Sequence, residues 1–415
     1  MNKREIFKDY ITYSAGNYIS QALGMISGFL LRAFLEPYAM GIWQGLSVIK
    51  SYTSYTNLGV SKSAAREIAY FRGKGDDSRS EVLKNTGFTF SIIMVSLAGI
   101  GCISFALFKR STLDEYAFWG LIVMGGVVIL ERIESYIVTI LRSKKKFFPE
   151  SLGKTINAIL NIVLVVLIVR NYKLFGLYAT TLIIMTFSIL ILILLSKERF
   201  LLAIERNELK HLIKIGIPLV FLGFMYVNLM NIDRIVIIKL LGAEMLGLYS
   251  VAIMMGNLVY NISTMASVVL YPRFQEKYAK RDDKRDVYIM MRKIIKFLWF
   301  PLIVVLIGGI IFFPYLIKMF IPKYVEGIAS MRILLCGIYF FSLAIFCSHY
   351  LITIGKQVLS LFICIGAVII NLILSILFIK LGFSIEGVAL ATSISYFLYF
   401  ILLFIMAHRV SAQVI

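Results

Sequence analysis

Charged residues embedded in apolar stretches are the side chains of this sequence with chemistry to offer. Lys50 lies in Gly45-Leu-Ser-Val-Ile-Lys50-Ser-Tyr-Thr-Ser-Tyr55, and positions 51–57 all carry hydroxyl or amide groups. An ionised side chain at the centre of a helix in lipid costs about 2.5–3.5 kcal/mol on insertion scales, so it faces a wet cavity or a partner. The hydroxyl run, ending at Asn57, suits a cavity that meets sugars. The alternative for Lys50 is snorkelling, or pairing with a carboxylate on another helix. Glu131-Arg132-Ile-Glu134 puts two carboxylates on one helix face and the guanidinium on another; an interhelical ion pair is the competing use. In Asn231-Ile-Asp233-Arg234 the adjacent charges cannot face one target, so one anchors while the other faces a cavity. Arg32 closes the first apolar stretch, where snorkelling competes with a cavity role.

Taken together, the embedded cations are Arg32, Lys50, Arg132 and Arg234, and the embedded acids are Glu131, Glu134 and Asp233. Cations in a cavity suit an anionic cargo such as a phosphate or pyrophosphate, with Asn57 and Asn231 as polar lining. Asp233, Glu131 and Glu134 are the candidates for binding a coupling H⁺ or Na⁺. Catalytic signatures are missing. Gly153-Lys154-Thr155 resembles the end of a phosphate-binding loop, but Phe148 stands where that loop needs a glycine. HExxH and GxSxG do not occur, and Cys102, Cys336, Cys347 and Cys364 form no CxxC pair. The expectation is a non-enzyme with no resident metal or cofactor.

The elements that position these residues follow from composition. Of 415 residues, 60% are hydrophobic and 16% charged, against roughly 45–50% and 25% in soluble domains. A dozen spans of about 20 residues would use roughly 240 residues, leaving loops and tails. Hydropathy places twelve spans near 11–34, 37–59, 85–108, 116–140, 151–169, 174–196, 212–240, 244–271, 294–313, 329–354, 358–379 and 385–407. The net charge of +20 reads as basic loops beside anionic lipid rather than nucleic-acid binding. Basic residues concentrate in alternate loops: Lys62 to Lys84, Arg142 to Lys146 with Lys144 and Lys145 between, and Arg273 to Arg285. By the positive-inside rule both termini are cytoplasmic. Gly24-Met-Ile-Ser-Gly28 reads as a close helix-packing motif.

The two halves repeat each other. Leu35-x5-Gly41-Ile-Trp43 is echoed by Leu241-x5-Gly247-Leu-Tyr249, Asn161 by Asn371, and Gly176-Leu-Tyr-Ala-Thr-Thr181 by Gly387-Val-Ala-Leu-Ala-Thr392. Three matches in one order imply two parallel six-helix lobes, 1–206 and 207–415, related by an axis along the membrane normal. The fold class expected is an all-α polytopic membrane protein.

The segment Asn231-Ile-Asp233-Arg234-Ile-Val-Ile-Ile-Lys-Leu-Leu-Gly242-Ala-Glu-Met-Leu-Gly247-Leu-Tyr249-Ser-Val-Ala252, with Gly41-Ile-Trp43, Gly176 and Gly387, resembles the Wzx-type flippases of the multidrug/oligosaccharidyl-lipid/polysaccharide (MOP) exporter superfamily. The resemblance implies a MATE-like fold in a bacterial inner membrane. It further implies alternating-access translocation of undecaprenyl-pyrophosphate-linked oligosaccharide repeat units, as in O-antigen or capsule assembly. Asp233 and Arg234 carry over from the motif; Lys50, Arg132 and Arg32 rest on burial alone. Implied partners are the lipid-linked glycan, membrane lipids, the polysaccharide polymerase and the chain-length regulator, with no nucleic acid. Lipid II flippases of the superfamily carry two further helices, so the end at Ile415 disfavours that branch. The rival readings are a MATE-like ion-coupled multidrug exporter, which wants a dominantly acidic cavity, and a membrane-embedded polysaccharide polymerase, which wants a large outer loop.

Overall fold

The computed structural model describes residues 3–144, 146, 148–281 and 283–412, and side chains from residue 16 onward except those of 218, 219 and 281; Lys145 lies outside the described residues. The chain is nearly all helix: α1 (Lys3–Phe34), α2 (Pro37–Thr53), α3 (Val60–Gly73), α4 (Asp77–Phe108), α5 (Glu115–Ser143), α6 (Phe148–Leu164), α7 (Arg170–Ser196), α8 (Arg206–Leu240), α9 (Ala243–Arg281), α10 (Lys284–Phe320), α11 (Gly327–Thr353), α12 (Gln357–Lys380) and α13 (Ile385–Ala412). A π-helical turn, Val165–Val169, joins α6 to α7, and a short 3-10 turn, Pro322–Tyr324, precedes α11. In lipid the backbone must satisfy its own polar groups, which helices do. Eight described stretches are long and apolar enough to cross a membrane, and one of them, Phe148–Ser196, holds both α6 and α7.

Among the described residues, twelve long helices stand where hydropathy places spans. The thirteenth is the difference. The region 60–84, expected as a loop, contains α3 and the first turns of α4. In α3, Val60, Ala64 and Ile68 recur every four residues and pack into a core with Leu83, Phe88, Tyr136, Ile140 and Leu212. The helix is amphipathic, so a window average conceals it. Asp76 caps α4 by accepting a bond from the Arg79 N–H at 3.0 Å, and Asp114 caps α5 through the Ala117 N–H at 3.2 Å.

Packing sorts the chain into two compact units. The first comprises Met1–Leu35 and Leu46–Phe224, and the second Glu36–Gly45 and Met225–Ile415. The expected boundary at 206/207 falls at the start of α8, whose first half packs with the first unit. In the first unit α5 packs on α4 and α7, and α1 on α6. In the second, α11 lies between α9 and α13 and is the most enclosed of the apolar stretches.

Two of the repeated glycines meet in the second unit. A β-carbon on Gly41 would overlap the Ala243 carbonyl oxygen, and one on Gly247 would overlap the Pro37 carbonyl oxygen. The first turns of α2 and α9 therefore touch backbone to backbone, reciprocally, at the repeated motif. By contrast a β-carbon on Gly24 would meet nothing within 4 Å. Elsewhere Leu58 (φ 51°) and Gly59 (φ 76°) turn the chain from α2 into α3, with Gly59 pressed against Gly216.

Candidate functional site

A cavity of about 220 Å³ opens in the first unit where α2 ends. Its walls come from the α2–α3 turn (Thr53, Ser54, Tyr55, Asn57, Gly59), the start of α3 (Ser61, Lys62), α5 (Val128, Glu131, Arg132, Ser135, Thr139) and Val220 of α8. Most of the hydroxyls have spent their protons. Thr53 donates to the Lys50 carbonyl at 2.9 Å, Ser54 to Ser51 at 2.7 Å, Ser135 to Arg132 at 3.1 Å and Thr139 to Ser135 at 2.7 Å. What remains are oxygen lone pairs, a surface of acceptors suited to donor-rich ligands such as sugars.

The charges around this cavity are arranged unequally. Lys50 on α2 pairs with Glu131 on α5 at 3.4 Å, each about a third exposed, so the cross-helix pairing held as the alternative for Lys50 is the arrangement seen. Arg132 is buried and its Nη2 donates to the Thr53 carbonyl at 2.9 Å. That carbonyl ends α2 and also accepts from the Thr56 N–H at 3.2 Å and the Thr56 hydroxyl at 2.8 Å, so the guanidinium adds a donor from another element to a helix C-terminus while its Nε is buried without a hydrogen-bond partner among the described residues. Asn57 serves the turn: it donates to Ser61 and accepts from the Gly59 N–H at 3.2 Å. Glu134 accepts from the Ser188 hydroxyl on α7, which directs it away from the role of its neighbour Glu131.

Sequence reasoning grouped Lys62 with loop charges. It lines the cavity instead, its ammonium has no ion pair or hydrogen bond among the described residues, and it is accessible yet surrounded by protein, which pushes its ammonium pKa down by desolvation. Lys154 and Glu150 were missed too. Glu150 is buried and holds Arg142 Nε at 2.8 Å and Lys154 Nζ at 2.7 Å, and Lys154 also reaches the Asn17 side chain at 3.1 Å. A carboxylate four residues before a lysine at the head of an apolar helix was the available signal.

Arg32 is buried on α1 and donates to the Gly28 carbonyl of its own helix at 3.0 Å. In the second unit Asn231 donates to the Val227 carbonyl at 2.8 Å. Asp233 is buried and accepts from the Tyr249 hydroxyl of α9 at 2.9 Å and from the Arg234 backbone N–H at 2.8 Å. Arg234 keeps a buried Nε without a hydrogen-bond partner among the described residues. The structure thus gathers Lys50, Asn57, Glu131 and Arg132 around one cavity of the first unit, and Asn231, Asp233 and Arg234 on one stretch of the second.

Comparison with known proteins follows that geometry. A family profile described as "Polysaccharide biosynthesis protein" matches residues 75–323. The chain belongs to this family. This polysaccharide biosynthesis protein is also 25% identical to the uncharacterized membrane protein MJ1375 of Methanocaldococcus jannaschii, across 94% of the chain and 96% of that relative. Among solved structures it is similar to the inward-facing conformation of a multidrug resistance MATE family transporter of the MOP superfamily, with TM-score 0.78 and 16% identity over 95% of each chain. It is likewise similar to a MOP superfamily transporter from Pyrococcus furiosus, described as having a binding pocket of reverse polarity that suggests a different function. There the TM-score is 0.70 and the identity 17%, over 97% of this chain and 94% of that one. At these identities the shared property is the fold: that of the MATE and MOP transporters, in a multi-pass membrane protein.

Proposed function

We propose that this polysaccharide biosynthesis protein is a transporter of the MOP type that moves a polyprenyl-pyrophosphate-linked oligosaccharide across the cell's plasma membrane, undecaprenyl being the carrier the sequence resemblance implies. The observation that carries the reading is the cavity of the first unit. Its acceptor-lined wall suits sugar hydroxyls, its single carboxylate Glu131 is offset by Lys50, and Lys62 and Arg132 leave an excess of positive charge. An organic cation would find that charge repulsive, which argues against a drug exporter. The cargo headgroup enters the cavity, the polyprenyl tail stays in lipid, and alternating access carries the headgroup across. In this reading the basic alternate loops, and with them both termini, face the cytoplasm. Asp233, buried and hydrogen-bonded by Tyr249 and the Arg234 N–H, is the leading group to bind a coupling H⁺ or Na⁺, beside Glu131 and Glu134. The polymerase and chain-length regulator act downstream on what is delivered.

Deleting the gene tests this. Lipid-linked repeat units trapped on the cytoplasmic leaflet, with surface glycan lost, support the reading. Unchanged glycan with new drug sensitivity would replace it with the exporter, and single repeat units displayed at the surface would replace it with a polymerase. In complemented cells Lys50→Ala and Arg234→Ala should each reduce surface polysaccharide with protein still in the membrane. Lys50→Arg should keep part of the export. Normal export in both alanine variants would remove Lys50 and Arg234 as cargo contacts, and normal export in Lys62→Ala would remove the cationic-cavity argument.

A further inference from the structure

Helix α10 carries a face that nothing above has used. Lys293, Lys296, Phe297 and Phe300 are spaced i, i+3, i+4 and i+7, so they lie in one row. All four are exposed, Phe297 at 77% and Phe300 at 65%. The row continues through Val304, Ile307 and Ile311, each about half exposed. Charge thus gives way to bare apolar surface along one stripe, with Trp299 exposed beside the change. Neither lysine has an ion pair or hydrogen bond among the described residues. The nearest carboxylate on this helix, Asp286, is engaged by Lys277 at 3.9 Å, and Arg292 lies over the Tyr288 ring at 6.0 Å.

Length fixes where the change falls. No charged residue occurs between Lys296 and Lys318, and those 22 steps of helix span about 33 Å, close to the ~30 Å hydrocarbon thickness of a bilayer. Lys296 and Lys318 therefore sit at opposite interfaces. The stripe beginning at Lys293 runs from one headgroup layer into the acyl region. An acidic protein segment would meet the ammonium groups alone. Only an amphiphile meets both ends of the stripe, with its anionic group at the lysines and its chain along the phenylalanines.

We propose that this α10 stripe is a binding seat for an anionic phospholipid, with the headgroup phosphate between Lys293 and Lys296 and an acyl chain against Phe297, Phe300 and Val304. The inference is independent of what the protein transports. Charge selects the lipid, because an ammonium beside an anionic membrane surface is worth about 1 kcal/mol, whereas a zwitterionic headgroup brings its own cation to the same place.

The test uses the full chain in nanodiscs of phosphatidylcholine mixed with phosphatidylglycerol, followed by stepwise delipidation and native mass spectrometry of retained lipid. The wild type should retain phosphatidylglycerol in preference to phosphatidylcholine. The double variant Lys293→Gln/Lys296→Gln should lose that preference by roughly tenfold or more, while Lys293→Arg/Lys296→Arg and Lys318→Gln keep it. Equal retention in the glutamine variant and the wild type would overturn the proposal, as would an equal loss in Lys318→Gln. Displacement of phosphatidylglycerol by an added polyprenyl phosphate would overturn it too, making the stripe a cargo path instead.

Discussion

Lys62 is the residue at which charge and enclosure meet. The protein around it lowers its pKa by desolvation, and a bound anion favours the protonated ammonium. Affinity for an anionic sugar phosphate is then full below the lowered pKa and falls as pH rises through it. Calorimetric titration of such a ligand into nanodiscs should show binding weakening from neutral to alkaline pH. Lys62→Arg, charged throughout, should flatten that profile, and a wild-type affinity independent of pH would count against Lys62 as the contact. Arg132 acts differently. Arg132→Met removes the bond to the Thr53 carbonyl and should cost about 1–3 kcal/mol of stability, read as a fall in thermal unfolding temperature. The hydroxyl run 51–57 was legible because it breaks an apolar pattern, and Thr53, Ser54, Tyr55 and Asn57 do line the cavity. The use made of Arg132 was not legible, since capping a helix on another element depends on tertiary position.

At the scale of elements, the first unit is tied at one end by Glu198. Its side chain is 8% exposed and receives Lys144 at 2.6 Å and Lys146 at 2.8 Å, with buried Lys84 at 3.8 Å. Burial alone would raise its pKa, but the hydrogen bonds and charges of Lys144 and Lys146 outweigh it and leave the pKa lowered. A lowered carboxylate pKa contributes stability above the unfolded value and loses it as pH falls through the folded one. Glu198→Gln should therefore cost about 2 kcal/mol near neutral pH, with the gap to wild type closing as acid protonates the native carboxylate. Unfolding curves over a pH series measure this, and a gap independent of pH would contradict it. Helical glycines divide just as sharply. Gly41→Ala and Gly247→Ala should each cost about 1–3 kcal/mol or more through overpacking, while Gly24→Ala should leave membrane accumulation unchanged. Long helices were legible because apolar length is a direct signal of a span. Helix α3 was not, because its buried positions are interleaved with Lys62, Arg66 and Arg72 and average to a polar loop.

For the molecule as a whole, the internal repeat was the most informative signal, and its glycines turn out to be a contact as well as a marker. Matching the MATE and MOP fold over nearly the full chain, the protein keeps the twelve long helices read from hydropathy. Which residues belong to which compact unit was hidden, because hydropathy locates helices without saying what they pack on. Residues 36–45 illustrate this: they precede most of the first unit in the chain yet pack with the second.

That placement bears on what happens if the gene is cut in two. A polypeptide of residues 1–206 would expose the Gly41 face of α2, whose partner Ala243 lies on the other piece, and the other piece would expose Gly247, whose partner is Pro37. Each fragment should be degraded when made alone, and the two should rescue each other when made together even without the peptide link at 206/207. Complementation of this kind, followed by immunoblotting of membranes, would show that the pieces 1–206 and 207–415 are joined by the backbone contact of α2 with α9 and do not need the peptide link between them.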